Sequence, residues 1–209
     1  MDIIASILVG IGECYLHYSP NVLGFEEPFQ FFQEVSLENL QIGHWFIFIG
    51  IPFYFGGYLH IYQMLKSGSE LWARIVLSLG FIAFTVGGIW ISSRLMIGNI
   101  VHLKADLVIA NYDKLIGIYT NYYEVLVHIL RIIILLLSIA FAFSILKFKT
   151  HYPKWMSIFN PITILLVFLA IGFAIPLLGK YLIPILMNII HLVLFGVSLY
   201  HLNKLKYYV

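Results

Sequence analysis

Ionisable side chains are scarce in this chain, and several recur at helical spacing inside apolar runs. Glu13 and His17 are four apart; Glu124, His128 and Arg131 follow at four and three; Asn99, His102 and Asp106 at three and four; Asn188 and His191 at three. Such spacings hold each set within about 60° of one helix face. Histidines with a carboxylate can ligate zinc, and Glu13, His102, His128 and His191 are the candidate ligands. Glu13 and His102 are the candidate catalytic residues. The same groups without a metal could relay protons. A carboxylate inside a membrane also needs a partner, because burying its charge alone costs several kcal/mol. Arg131 or Arg94 can supply it, and the depth of Arg131 favours Arg131. Against zinc stands the late helix, which offers N-x-x-H at Asn188 and His191. Alkaline ceramidases and progestin/adiponectin-receptor-like proteins carry H-x-x-x-H there, and no H-E-x-x-H is present either.

The elements that must position these residues are long apolar runs. Of 209 residues 61% are hydrophobic and 11% charged, and the mean hydropathy is +0.94. A soluble domain needs more charged surface than that. The fold class is therefore all-α, a polytopic integral membrane protein with one bundle over residues 1–209. Helices are predicted over residues 2–18, 36–65, 70–98, 121–147, 161–178 and 181–205. The first lacks a basic leader or cleavage pattern and reads as a retained helix. Ser36 is a predicted N-cap, Pro161 a first-turn proline, Pro52 a kink and Gly179-Lys180 a turn. Gly10, Gly12, Gly56 and Gly57 suit close helix packing. After Arg94 the chain either continues beyond the bilayer or bends at Gly98. The loop over residues 19–36, with Glu26, Glu27, Glu34 and several Phe, suits the membrane interface. One cysteine, Cys14, excludes an internal disulfide, and a net charge of +2 gives no nucleic-acid signature.

Basic residues at helix ends set the orientation. Lys66, Arg74, Lys147, Lys149, Lys154, Lys204 and Lys206 fall on one side, and Lys104, Lys114 and Lys180 on the other. Both termini are then cytoplasmic. Counting ~1.5 Å per residue from the inner side places most polar residues in the outer half. Glu13, His17, His44, Arg94, Asn99, His102, Glu124, His128, Arg131, Asn188 and His191 are therefore expected to line an outward-facing pocket. For His44, His102 and His128 the competing reading is a boundary residue with a wet tip.

Four short motifs resemble an uncharacterised family of bacterial multi-pass membrane proteins, a domain of unknown function. They are G-E-x-x-L-H-Y-S-P at 12–20, G-I-P-F-Y-F-G-G-Y-L-H-I-Y at 50–62, G-N-I-V-H at 98–102 and N-P at 160–161. Members carry Asp where this chain has Glu13. The resemblance spans most of the chain, implies a bacterial inner-membrane protein without a known activity, and favours Glu13 and His102 as positions that matter. The expected function is binding of a small or lipid-like ligand in the polar pocket, with metal-assisted hydrolysis as one outcome and zinc as the cofactor. A proton- or ion-coupled small-solute transporter is the alternative, and a non-catalytic sensor or structural subunit is a further one. Besides such a ligand, the expected partner is the lipid bilayer.

Overall fold

The computed structural model describes residues 2–17 and 29–207, with side chains over 3–17 and 29–202. Glu26, Glu27 and most of the loop expected at the interface lie outside the described residues, as do the side chains of Lys204 and Lys206. The described residues form seven α-helices and no strand: α1 (Asp2–His17), α2 (Leu37–Leu65), α3 (Glu70–His102), α4 (Ile109–Lys147), α5 (Pro161–Ala174), α6 (Pro176–Leu182) and α7 (Leu186–Tyr207). Short 3₁₀ turns occupy Gln30–Glu34, Lys154–Phe159 and Ile183–Ile185. The fold is an all-α membrane bundle.

Local chemistry sets several helix ends. The Ser36 hydroxyl accepts from the Asn39 amide at 3.1 Å and opens α2, as its position predicts. Asn160 does the same for α5, accepting from the Thr163 amide at 3.1 Å, with Pro161 at the first helical position. This accounts for the N-P dipeptide. At the end of α4 the Lys154 ammonium donates to the main-chain oxygens of Ile145, of Leu146 at 2.6 Å and of Phe148 at 3.0 Å. A cation thus meets the negative end of the helix and satisfies carbonyls that have no intrahelical partner.

The helices differ from the sequence reading in three places. The third predicted helix does not stop at residue 98; α3 runs through Gly98 to His102, so the chain stays helical past that glycine. The fourth begins at Ile109 and not at residue 121, because only residues 103–108 are needed to turn the chain. The fifth ends at Ala174, not at residue 178. Pro176 has no amide to donate and crowds the preceding turn, so it closes α5 and starts α6. Gly179 and Lys180 consequently lie inside a helix and do not turn the chain. Gly179 lies so close to α5 that a Cβ there would stand 2.3 Å from the Gly172 carbonyl oxygen.

Among the described residues, four helical stretches are long and apolar enough to cross a membrane: α2, α3, α4 and the run Pro176–Leu202. The 16 residues of α1 and 14 of α5 are shorter, about 24 and 21 Å against a hydrocarbon core of about 30 Å. Sequential helices pack as neighbours, α1 on α2, α2 on α3 and α3 on α4, with α7 returning against α1. Gly12 and Gly43 face each other so closely that a Cβ on either would meet the other's carbonyl oxygen, at 2.6 and 2.7 Å. Backbones approach this closely only where both side chains are absent. Gly80 makes room for the Tyr58 ring, and Gly57 for Phe195; Gly56 meets nothing within 4 Å. The buried core draws Val9, Tyr54, Ile97, Leu137, Phe141 and Phe195 from every long helix and from α1.

Candidate functional site

The close approach of α1 to α2 and α7 carries Glu13 into the interior, where it is 2% exposed. Asn188 of α7 donates its amide to Glu13 Oε2 at 2.5 Å, and the Tyr54 hydroxyl of α2 donates to Asn188 Oδ1 at 2.7 Å. Arg94 of α3 approaches from the other side, its Nη1 standing 3.8 Å from Glu13 Oε1. Both charges are nearly out of solvent, Arg94 being 8% exposed. Their attraction and the Asn188 bond offset the cost of burying each alone.

Besides Glu13, three side chains hold Arg94. Its guanidinium lies 3.8 Å from the Trp90 ring centroid and 5.7 Å from that of Tyr123. Nη2 donates to the Tyr123 hydroxyl at 3.3 Å, and Nη1 donates to His17 Nε2. His17 Nδ1 lies 2.9 Å from the main-chain oxygen of Glu13 and must donate to it. That contact assigns the tautomer: Nδ1 carries the proton and Nε2 is the acceptor facing Arg94.

A cavity of ≈ 330 Å³ adjoins the pair, lined by Glu13, His17, Trp90 and Arg94 on one side and by apolar residues such as Leu165, Ile183 and Met187 on the other. A smaller cavity of ≈ 50 Å³ lies beyond Glu13 and is lined by Glu13, Asn188, Trp90, Gly87 and Gly88 among others. Glu13 therefore borders both.

Next to this cluster, His191 is fully buried between two partners. Its Nδ1 donates to the Met187 carbonyl at 2.7 Å, and Nε2 accepts from the Tyr58 hydroxyl at 2.9 Å. Both nitrogens are occupied. A third polar group lies further along α7, where Ser198 meets His60 Nε2 at 2.7 Å and the Tyr152 hydroxyl at 2.5 Å.

The remaining sequence candidates do not join the site. Glu124, His128 and Arg131 are exposed on α4, so Arg131 is not the partner of Glu13; that role falls to Arg94. Arg131 Nη1 stands 3.5 Å from His128 Nδ1, at the limit of a hydrogen bond. His102 donates to the Val35 carbonyl at 2.8 Å and ties the end of α3 to the segment before α2. His44 and Asn99 are half-buried and border neither cavity. Of the expected pocket, Glu13, His17 and Arg94 line the larger cavity and Asn188 the smaller. Glu13, His102, His128 and His191 do not converge as zinc ligands: among the described residues no three His, Cys, Asp or Glu are grouped to hold a metal. Sequence reasoning missed Tyr54, Tyr58, Trp90 and Tyr123. Three of these were legible, since Tyr54 and Tyr58 are one turn apart in the 50–62 motif, and Trp90 is one turn before Arg94.

These features define a class: a helical membrane bundle whose interior holds a carboxylate–guanidinium pair beside a cavity. The family model of a family of unknown function, DUF6796, matches residues 1–205, and the chain belongs to that family. No curated protein and no solved structure matches it.

Proposed function

We propose that this chain is a multi-pass protein of a bacterial inner membrane, with six crossings, both termini cytoplasmic and the Glu13–Arg94 cavity opening outward. In this reading the cavity binds a small or lipid-like ligand. One observation carries it: an ion pair between residues distant in sequence lines a cavity of ≈ 330 Å³ and does not close it. That volume lies at the lower end of ligand pockets, about 300–1,000 Å³. A pair serving helix packing alone would be expected to exclude such space, since interiors close around paired charges.

The test is native mass spectrometry of the protein released from nanodiscs. A co-purifying small molecule, lost on filling the cavity with Leu165→Trp, supports binding; a ligand-free protein that takes up nothing from a lipid extract rejects it. A reporter fused at the C-terminus checks the orientation, which fails if the fusion is reached from outside.

Proton-coupled transport is the second reading, favoured by the position of Glu13 between two cavities. Uptake by proteoliposomes under a pH gradient, abolished by Glu13→Gln, would select it. Metal-assisted hydrolysis draws no support from the arrangement of the described residues.

A further inference from the structure

We propose that the cavity beside Glu13 and Arg94 takes the uncharged, hydroxyl-bearing head of an amphiphile, its apolar tail lying along Leu165, Ile183 and Met187. This rests on the reading of the cavity as a ligand site and names the chemistry of what it takes.

The first argument is charge balance. Glu13 and Arg94 are the one acid and the one strong base on the cavity wall, and as a pair their charges cancel. His17 adds none, because its Nδ1 proton goes to the Glu13 carbonyl and its Nε2 lone pair faces Arg94. A ligand bearing a net charge would bring an uncompensated ion among apolar residues, which low-dielectric surroundings penalise heavily.

The second argument is hydrogen-bond capacity. Glu13 Oε2 is taken by Asn188. Oε1 receives no hydrogen bond among the described residues, and its nearest cationic nitrogen, Arg94 Nη1, stands at 3.8 Å, beyond hydrogen-bond length. An open acceptor thus sits beside a donor that does not reach it. The group that satisfies both is one that donates to Oε1 and accepts from the guanidinium, and a hydroxyl does so through a single oxygen. A carboxylate could only accept and would face Glu13; an ammonium could only donate and would face Arg94. The third argument is the rest of the lining, which includes Leu165, Ile183, Leu186 and Met187, is apolar and suits a hydrocarbon chain.

The experiment compares three amphiphiles of equal chain length, decanol, decanoate and decylammonium, against the protein in nanodiscs. The readout is the ligand-dependent rise of the unfolding midpoint, which saturates when a site fills. Decanol is expected to bind about tenfold or more tightly than either ion, and Leu165→Trp, which blocks the cavity, to remove the effect. In Glu13→Gln the arginine is left unbalanced, and decanoate should overtake decanol; in Arg94→Gln decylammonium should. If decanoate or decylammonium binds best to the wild-type protein, the inference is overturned while the cavity remains a ligand site. Saturable binding of none of the three overturns the binding reading itself. The wild-type ranking requires no variant and decides the matter if either charge variant fails to fold.

Discussion

Glu13, His17 and Arg94 have a counterpart of the same residue types elsewhere in the chain: Glu124, His128 and Arg131. Each set has a glutamate, a histidine four residues later and an arginine. In the first set the arginine comes from another helix, the charges are buried, and Asn188, Tyr54, Trp90 and Tyr123 complete the arrangement. In the second all three side chains share one helix and are exposed, with a marginal contact of 3.5 Å between His128 and Arg131. Residue types and the glutamate-to-histidine spacing are the same, so neither explains the difference. Helix rotation does: α4 turns Ile133, Leu137, Ala140 and Phe141 inward and carries the polar set round to the outside.

The contrast can be broken by removing each arginine. Arg94→Met leaves Glu13 buried without its cation and should destabilise the protein by about 3–5 kcal/mol, read as a lower unfolding midpoint in detergent. Arg131→Met should stay within about 0.5 kcal/mol of wild type; equal losses at both positions would remove the distinction between the sets. The next largest effect is steric. Gly80→Leu would force a side chain against the Tyr58 ring, whose nearest atom lies 2.3 Å from an ideal Cβ. It should cost about 1–3 kcal/mol, whereas Gly87→Ala, with nothing within 4 Å, should be nearly neutral in the same melting assay.

Asn188→Ala removes the donor to Glu13 and the acceptor for Tyr54 together, with an expected loss of about 1–3 kcal/mol. If a double-mutant cycle with Tyr54→Phe shows no coupling, the two side chains do not share a network. A smaller loss is expected outside both sets. Lys154→Met should cost about 0.5–1 kcal/mol through the C-terminal carbonyls of α4, and hydrogen exchange should show extra fraying over the last turn only.

Much of the frame was legible before folding was considered. Ser36 and Asn160 begin helices because their side chains can cap free amides, and Pro161 follows because a first-turn residue needs no amide. The break at Pro176 was also legible and was overlooked in favour of Gly179-Lys180. Glu13 stood out as a charge deep in an apolar run, and its pairing with Arg94 was one of two alternatives. The preference for Arg131 failed because it rested on depth alone, and depth leaves the direction of a side chain around the helix axis open.

The sequence by itself therefore determined the class of fold, most helix starts and the scarcity of buried charge, since these follow from local hydrogen bonding and from apolar run length. Only the tertiary structure decided which charges meet. Helices apolar nearly all round give no strong preferred face, so their rotation is set by contacts between distant residues. Gly12 must fit Gly43, the Tyr58 ring must fit over Gly80, and Phe195 against Gly57. Those fits turn Glu13, Arg94 and Asn188 toward one another and leave Glu124, His128 and Arg131 outside.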